Sequence, residues 1–360
     1  MKRRSGFACL TGCIVAFFAS TATGQGSPPP AGSPPGGGPP GGPPSATVVV
    51  DCTAGDTIRD ALRKPAENLT IEVRGICKED VVIARNFVTL RGTDPALDGI
   101  QGVGPSPLSG DAVVRIEGAR AVRIENLSVT SGARDGISAI GSFHVEITNC
   151  RLLNNLNNGI FAFDDSSLSI TDTVISGSNR GLSVFTADLL TCRRCTIATN
   201  ASGVVAARGS LVSILESTIS ARHGVFSQEG GAVFLGDSTL EAVQLGMSAG
   251  EHSRITVVRS TFTGALEVGQ AGLVELFGSS QVENPMDFNF LDLDSTLRMR
   301  DGSRLIGATS VEAFSHLLIH DTSSLEGSLA CVTGGDAICD DPSRITGGAS
   351  GCPRCVTPPP

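Results

Sequence analysis

The sequence predicts an all-β solenoid, a β-helix in which short strands are wound into stacked parallel coils, and three observations carry that reading. Six glycines, Gly136, Gly159, Gly181, Gly203, Gly224 and Gly246, recur at spacings of 23, 22, 22, 21 and 22 residues, each followed by an apolar residue. Two further apolar columns keep step with them: Val129, Leu152, Ile175, Ile197, Ile219, Leu240, Phe262, and Ile124, Ile147, Ile170, Cys192, Ile214, Leu235, Val257. A repeat period in the twenties marks a solenoid. Within a unit the residues alternate, as in Val145-Glu146-Ile147 and Leu168-Ser169-Ile170, which is the period of a strand with one face inward. β-Branched residues dominate, and the fixed leucine offsets of a leucine-rich repeat are missing. Glycine is then expected where the backbone bends into a strand, because it takes a positive φ without strain. Equivalent side chains should stack about 4.8 Å apart.

The units Ile124-Glu125-Asn126-Leu127-Ser128-Val129 and Ile147-Thr148-Asn149-Cys150-Arg151-Leu152, each leading to Asp-Gly-Ile or Asn-Gly-Ile, resemble right-handed parallel β-helix repeats of the pectin-lyase-like superfamily. That resemblance spans roughly Val48 to Leu329. It implies a single-stranded right-handed parallel β-helix of roughly twelve coils with a short amino-terminal capping helix. The same scaffold hosts lyases, hydrolases, epimerases and adhesins, so fold alone does not give an activity. The column Asn126, Asn149, Asp172 resembles the asparagine ladder of this superfamily and is expected to stop at Arg194 and Glu216.

In chain order, Met1-Lys2-Arg3-Arg4, an apolar run from Phe7 to Ala19 and Ala22-Thr23-Gly24 read as a secretory signal over residues 1–24. The competing reading is a lipid anchor at Cys13, because Leu10-Thr11-Gly12-Cys13 resembles a bacterial lipobox. Loss of the signal removes Lys2, Arg3 and Arg4 and no acid, so the formal charge of −9 becomes −12. An acidic exported chain is a poor partner for nucleic acid or anionic lipid, and no membrane span is expected once the signal is gone. Residues 25–45 are almost all Pro, Gly and Ser, a disordered linker.

The β-helix domain is expected over residues 46–330. The segment Asp56-Thr57-Ile58-Arg59-Asp60-Ala61-Leu62-Arg63-Lys64 opens it as a short helix, capped by Asp56 or Thr57 and stopped by Pro65. Ile58, Ala61 and Leu62 share a face, and an open solenoid end needs a lid. From Thr93 to Asp111 the pattern is lost in a long loop, and after Phe262 the period blurs. Residues 331–360 form a cysteine-bearing cap and proline tail.

Nine cysteines follow the signal, and export favours disulfides over zinc for them. Cys52 with Cys77 is the first expected pair, and Cys331, Cys339, Cys352 and Cys355 form an even set whose pairing stays open. Cys150 and Cys195 share a column two coils apart, about 9.6 Å, too far to bond. Cys192 and Cys195 are expected to close across a turn, leaving Cys150 free.

Sugar-cleaving chemistry on such a scaffold needs converging carboxylates, or a basic residue with acidic metal ligands. The candidates are Asp164, Asp165, Arg180 and His223, each of which also reads as an ordinary turn residue. The chain has no Trp and no Tyr, which removes the flat polar-edged rings that sugar clefts favour. If Ile137, Ile160 and Leu182 point inward, then Ile140, Phe161, Phe163, Phe185, Val205 and Phe226 form an outward apolar patch, covered by a segment of the chain or open for docking.

The expectation is therefore an exported, non-catalytic β-helix presenting a rigid binding or structural surface, in the periplasm or outside the cell. A polysaccharide or another envelope protein is the expected partner, with no cofactor and no metal. The alternative is a polysaccharide lyase or glycoside hydrolase of the pectin-lyase-like class.

Overall fold

The computed structural model describes residues 44–103, 111–130, 135–341 and 344–355, together with the backbone but not the side chains of 285–288. The signal, the lipobox at Cys13, nearly all of the linker, the middle of the Thr93–Asp111 loop and the proline tail lie outside these residues. Alternating strands make two all-parallel sheets. Among the described residues one holds fourteen strands, one per coil, which gives about thirteen turns of right-handed solenoid, close to the roughly twelve expected. The other holds twenty strands.

Stacking is rung upon rung. Ile124, Ile147, Ile170, Cys192 and Ile214 pair in register along the fourteen-stranded sheet and line one interior row. Leu235, Val257, Leu276, Met299, Ile319 and Cys339 continue it. All but Cys339 are at most 2 % exposed, so each side chain is sealed by its equivalents above and below. Along this sheet the pattern past Phe262 is as regular as before it; the blurring lies in the other sheet, where the register shifts between Thr263 and Glu267 and between Glu283 and Phe288. Early coils enter the twenty-stranded sheet by two strands with a break between them, Val174–Ser176 then Arg180–Phe185. Later coils run straight through, as in Thr218–Ser227 and Thr239–Ala249.

The glycine column has a different cause from the one expected. None of Gly136, Gly159, Gly181, Gly203, Gly224 and Gly246 has a positive φ. They are there because the interior has no room: a Cβ on Gly181 or Gly203 would lie 2.4 Å from Cγ2 of Ile197 or Ile219. Positive φ falls instead on turn residues, many of them not glycine. Asn126, Asn149, Asp172, Arg194, Glu216, Asp237 and Arg259 all lie between 46° and 54°. The amide ladder gives way at Arg194 as expected, while the positive-φ position itself continues with other side chains. The Asn149 amide donates to Asn126 Oδ1 at 2.8 Å, whereas Arg194 forks onto Asp172 at 2.6 and 2.9 Å. Arg259 likewise forks onto Asp237 at 2.7 and 2.6 Å.

Both ends are plugged. The helix Ile58–Leu62 begins at Thr57, whose hydroxyl accepts the Asp60 N–H at 3.1 Å, and lays Ile58 and Ala61 over the open stack. The buried Glu79 carboxylate accepts the N–H groups of Ile58 and Arg59 at 2.6 and 3.1 Å. Arg85 holds the carbonyls of Leu62, Lys64 and Ala66 beyond the other end, so charge complements both helix termini. Cys77, in row with Ile100 and Val129, is bonded to Cys52. At the far end Cys331 bonds Cys352, and Cys339 bonds Cys355, with Cys352 and Cys355 buried over the last rung. Cys192 bonds Cys195 across a positive-φ turn, and Cys150 is a buried free thiol, pushed up to about 11 by that burial. Such a thiol is a packing group rather than a nucleophile. Four disulfides fit an oxidising, exported setting.

Candidate functional site

The four residues singled out for sugar chemistry do not converge. Arg180 opens the strand Arg180–Phe185 and is exposed; in register it sits between Asn158 and Ser202, and Ser202 pairs with His223. Arg180 and His223 are thus two rungs apart, roughly 10 Å. His223 Nε2 lies 3.1 Å from Gln244 Oε1, which also accepts from Arg222 Nε at 2.9 Å, and its ring meets Phe226 edge-on. Asp164 and Asp165 lie at the other end of the strand Asn158–Phe163, six residues on, roughly 20 Å away along the extended chain. With φ of 66° and 61° they form a two-residue left-handed turn, the counterpart of Thr186-Ala187, Arg208-Gly209 and Glu229-Gly230 on the following rungs. Their place in the coil is that of turn residues.

Beside that turn lies a carboxylate that sequence reasoning missed. Asp188 immediately precedes the strand Leu189–Arg193, the position held by buried Ser142, Ser166, Ser210, Ser253, Ser295 and Ser315 on other rungs. It is 1 % exposed; Oδ1 accepts the Ser166 N–H at 2.5 Å, and Oδ2 has no hydrogen-bond partner. Burial first, with Asp165 and Asp164 adding repulsion, pushes it up to about 7. Its signal in the sequence is one acid in a serine column. Buried within the serine column, it marks local stress.

The apolar patch is real but half closed. Ile140, Phe161, Phe163, Phe185 and Phe226 are half-buried and Val205 is buried. Phe161 lies 6.1 Å from Phe163 and 5.9 Å from Phe185, centroid to centroid, so the rings shield one another.

A concave site begins where that patch ends. Phe226, Ser248, Glu267 and Phe290 pair in register as one outward column on four successive rungs. With Gln228, Glu251, Gln270 and Asp292 they line a cleft of about 200 Å³. Through Glu251, Gln270 and Leu293 the cleft opens into a shallow hollow of about 510 Å³ floored by Ala271, Ala313 and Phe314. Phe314 is 67 % and Leu293 51 % exposed, so this hollow offers apolar surface to solvent. Rings at two rungs, with hydroxyl, amide and carboxylate groups between, can hold a ligand that is apolar on its faces and polar at its edges. Among these residues only Phe226 stood out in the sequence; the others share no repeated chemistry. No group of three or more His, Cys, Asp or Glu side chains among the described residues is placed to hold a metal.

Residues 111–265 match the family described as a right handed beta helix region. No curated protein matches the chain in sequence. Among solved structures, an alginate lyase from Paenibacillus sp. str. FPU-7 is similar at 13 % identity, over 71 % of this chain and 98 % of that one, with a TM-score of 0.51. A catalytic domain of an α-1,3-glucanase follows at 11 % identity, 86 % and 69 % coverage and a TM-score of 0.44. The tailspike protein of Pseudomonas phage LKA1 stands at 14 % identity, 85 % and 50 % coverage and a TM-score of 0.40. At these identities the likeness is one of fold. The register of the rungs, the family match and the alginate lyase's shape agree: the chain is a right-handed parallel β-helix repeat protein built on the pectin-lyase-like fold.

Proposed function

We propose that the protein is an exported, non-catalytic polysaccharide-binding β-helix that grips a glycan in the cleft between Phe226 and Phe290. The observation that carries this is the cleft's lining: two rings about three rungs apart, roughly 14 Å, with Ser248 and Glu267 on the rungs between. A sugar chain presents alternating apolar ring faces and hydroxyl edges, which such a lining complements. The rigid stack fixes those groups before binding, so little ordering cost is added on association. Against catalysis stand the dispersal of Asp164, Asp165, Arg180 and His223 and the ordinary turn geometry of the two acids. Affinity of the secreted form for a panel of polysaccharides tests the reading, with Phe226→Ala and Phe290→Ala as cleft variants. Retention on at least one polymer, lost in both variants, is expected; unchanged retention in both overturns it.

The three carboxylates of the cleft, Glu251, Glu267 and Asp292, favour a second reading as a sugar-cleaving enzyme, because paired acids are what glycosidic cleavage uses. Release of reducing or unsaturated sugar by the wild type but not by Glu267→Gln distinguishes it.

A further inference from the structure

The charge pattern of the cleft points to the kind of glycan it takes, an inference that rests on the polysaccharide-binding reading. On many other rungs of the solenoid surface acids are neutralised by an arginine one rung away. Arg123 pairs with Glu146, Arg193 with Glu216, Arg208 with Glu229, and Glu275 sits between Arg254 and Arg298. The cleft gathers three carboxylates that lack such a partner. Among the described residues Glu251, Glu267 and Asp292 form no ion pair, and the cleft's own lining holds no Lys, Arg or His, with His252 bordering only the adjoining hollow. The rings of Phe226 and Phe290 stand in the same column as Glu267, so a sugar stacked on either ring has its edge substituents brought to these carboxylates.

We infer that the cleft selects an amino-sugar glycan, whose protonated amines pair with Glu267, Asp292 and Glu251, and rejects polyuronates. A polyuronate would bring its own carboxylates against three carboxylates with no cation in the cleft's lining, and like charges in one site are mutually destabilising. An amine-bearing polymer supplies the cations that this surface lacks, while its sugar faces still meet Phe226 and Phe290. Attraction of this kind is screened by salt.

The test compares the binding of chitosan, a neutral β-glucan and alginate to the secreted protein at low and high ionic strength. Glu267→Gln and Asp292→Asn serve as cleft variants. Glu241→Gln, an exposed acid on a corner strand outside the cleft, serves as a control for the acidity of the whole molecule. Chitosan should bind more tightly than the glucan and alginate weakest, with each cleft variant losing about twofold to fivefold for chitosan and Glu241→Gln unchanged. Alginate binding as tightly as chitosan, or the glucan doing so, overturns the charge inference and leaves polysaccharide binding standing. Equal loss in Glu241→Gln assigns the attraction to net charge and also overturns it. Failure of all three polymers to bind overturns both readings.

Discussion

A Cβ on Gly159 would lie 2.2 Å from Cγ2 of Ile175, inside the van der Waals contact of two carbons. Ile175 belongs to the fully buried corner row between Leu152 and Ile197, and it fills the space that a side chain at 159 would need. Gly159→Ala should cost about 1–3 kcal/mol through overpacking. Ile175→Ala alone should cost about 2–5 kcal/mol as a cavity, and the double variant less than the sum, because each change relieves the other. Denaturant melts of the four proteins measure this coupling; strict additivity would mean that the glycine is there for another reason.

Arg194 sits at φ 52° yet ties down Asp172. Both side chains are 45 % exposed, so the pair is a surface one and contributes little. Left-handed backbone costs a non-glycine residue about 1–2 kcal/mol. Arg194→Gly should therefore be close to neutral in stability, and Arg194→Val clearly destabilising because β-branching is worst at positive φ. A thermal melt in which Val matches Gly would contradict this.

These two residues also show how legible the fold was. The interior rows could be read because burial repeats with the coil and leaves the same apolar class at each rung, as at Ile147, Ile170 and Ile214. The cause of the glycine column could not, since it lies in the contact with a corner row some sixteen residues later, Gly159 with Ile175, that no local pattern displays. The first turn positions, Asn126, Asn149 and Asp172, could be read from their side chains, but their continuation through Arg194, Glu216 and Asp237 could not, because the rung-to-rung backbone bonds hold the geometry whatever the side chain. The cleft was the least legible part. Phe226, Ser248, Glu267 and Phe290 are chemically unlike, and only the stacking puts them in one column.

Asp188 gives the protein an unusual pH dependence. Its folded value near 7 lies above the ordinary 3.8, so the native state holds the proton more tightly than the unfolded chain. Stability should fall as pH rises from about 4 to 7, by at most about 1.4 kcal/mol per unit, and then level off. Asp188→Ser, which restores the column's usual residue, should flatten that slope and raise the melting temperature at pH 8. Below about pH 4 the trend reverses. There Asp98, pulled up by burial but held down more strongly by hydrogen bonds from Thr93, Gly75 and Asp94, loses its bonds as it protonates. A melting temperature that rises steadily from pH 5 to pH 8 would refute the assignment.

The cystine caps make the ends of the solenoid conditional on oxidation. Reduction, or Cys339→Ala, should cost about 3 kcal/mol and open the last rungs first. Hydrogen exchange should then lose protection over Leu317, Ile319 and Cys339, while the row from Ile124 to Ile214 keeps it. Cys150 should stay unreactive toward alkylating reagents until the chain unfolds.

The most direct test of the functional account is a crystal structure with a bound oligosaccharide. The account predicts sugar density lying along the cleft, with pyranose faces against Phe226 and Phe290 and polar edges at Glu267 and Asp292. Ordered sugar seated instead over Arg180, His223 or the Asp164-Asp165 turn, with the cleft empty, would contradict it.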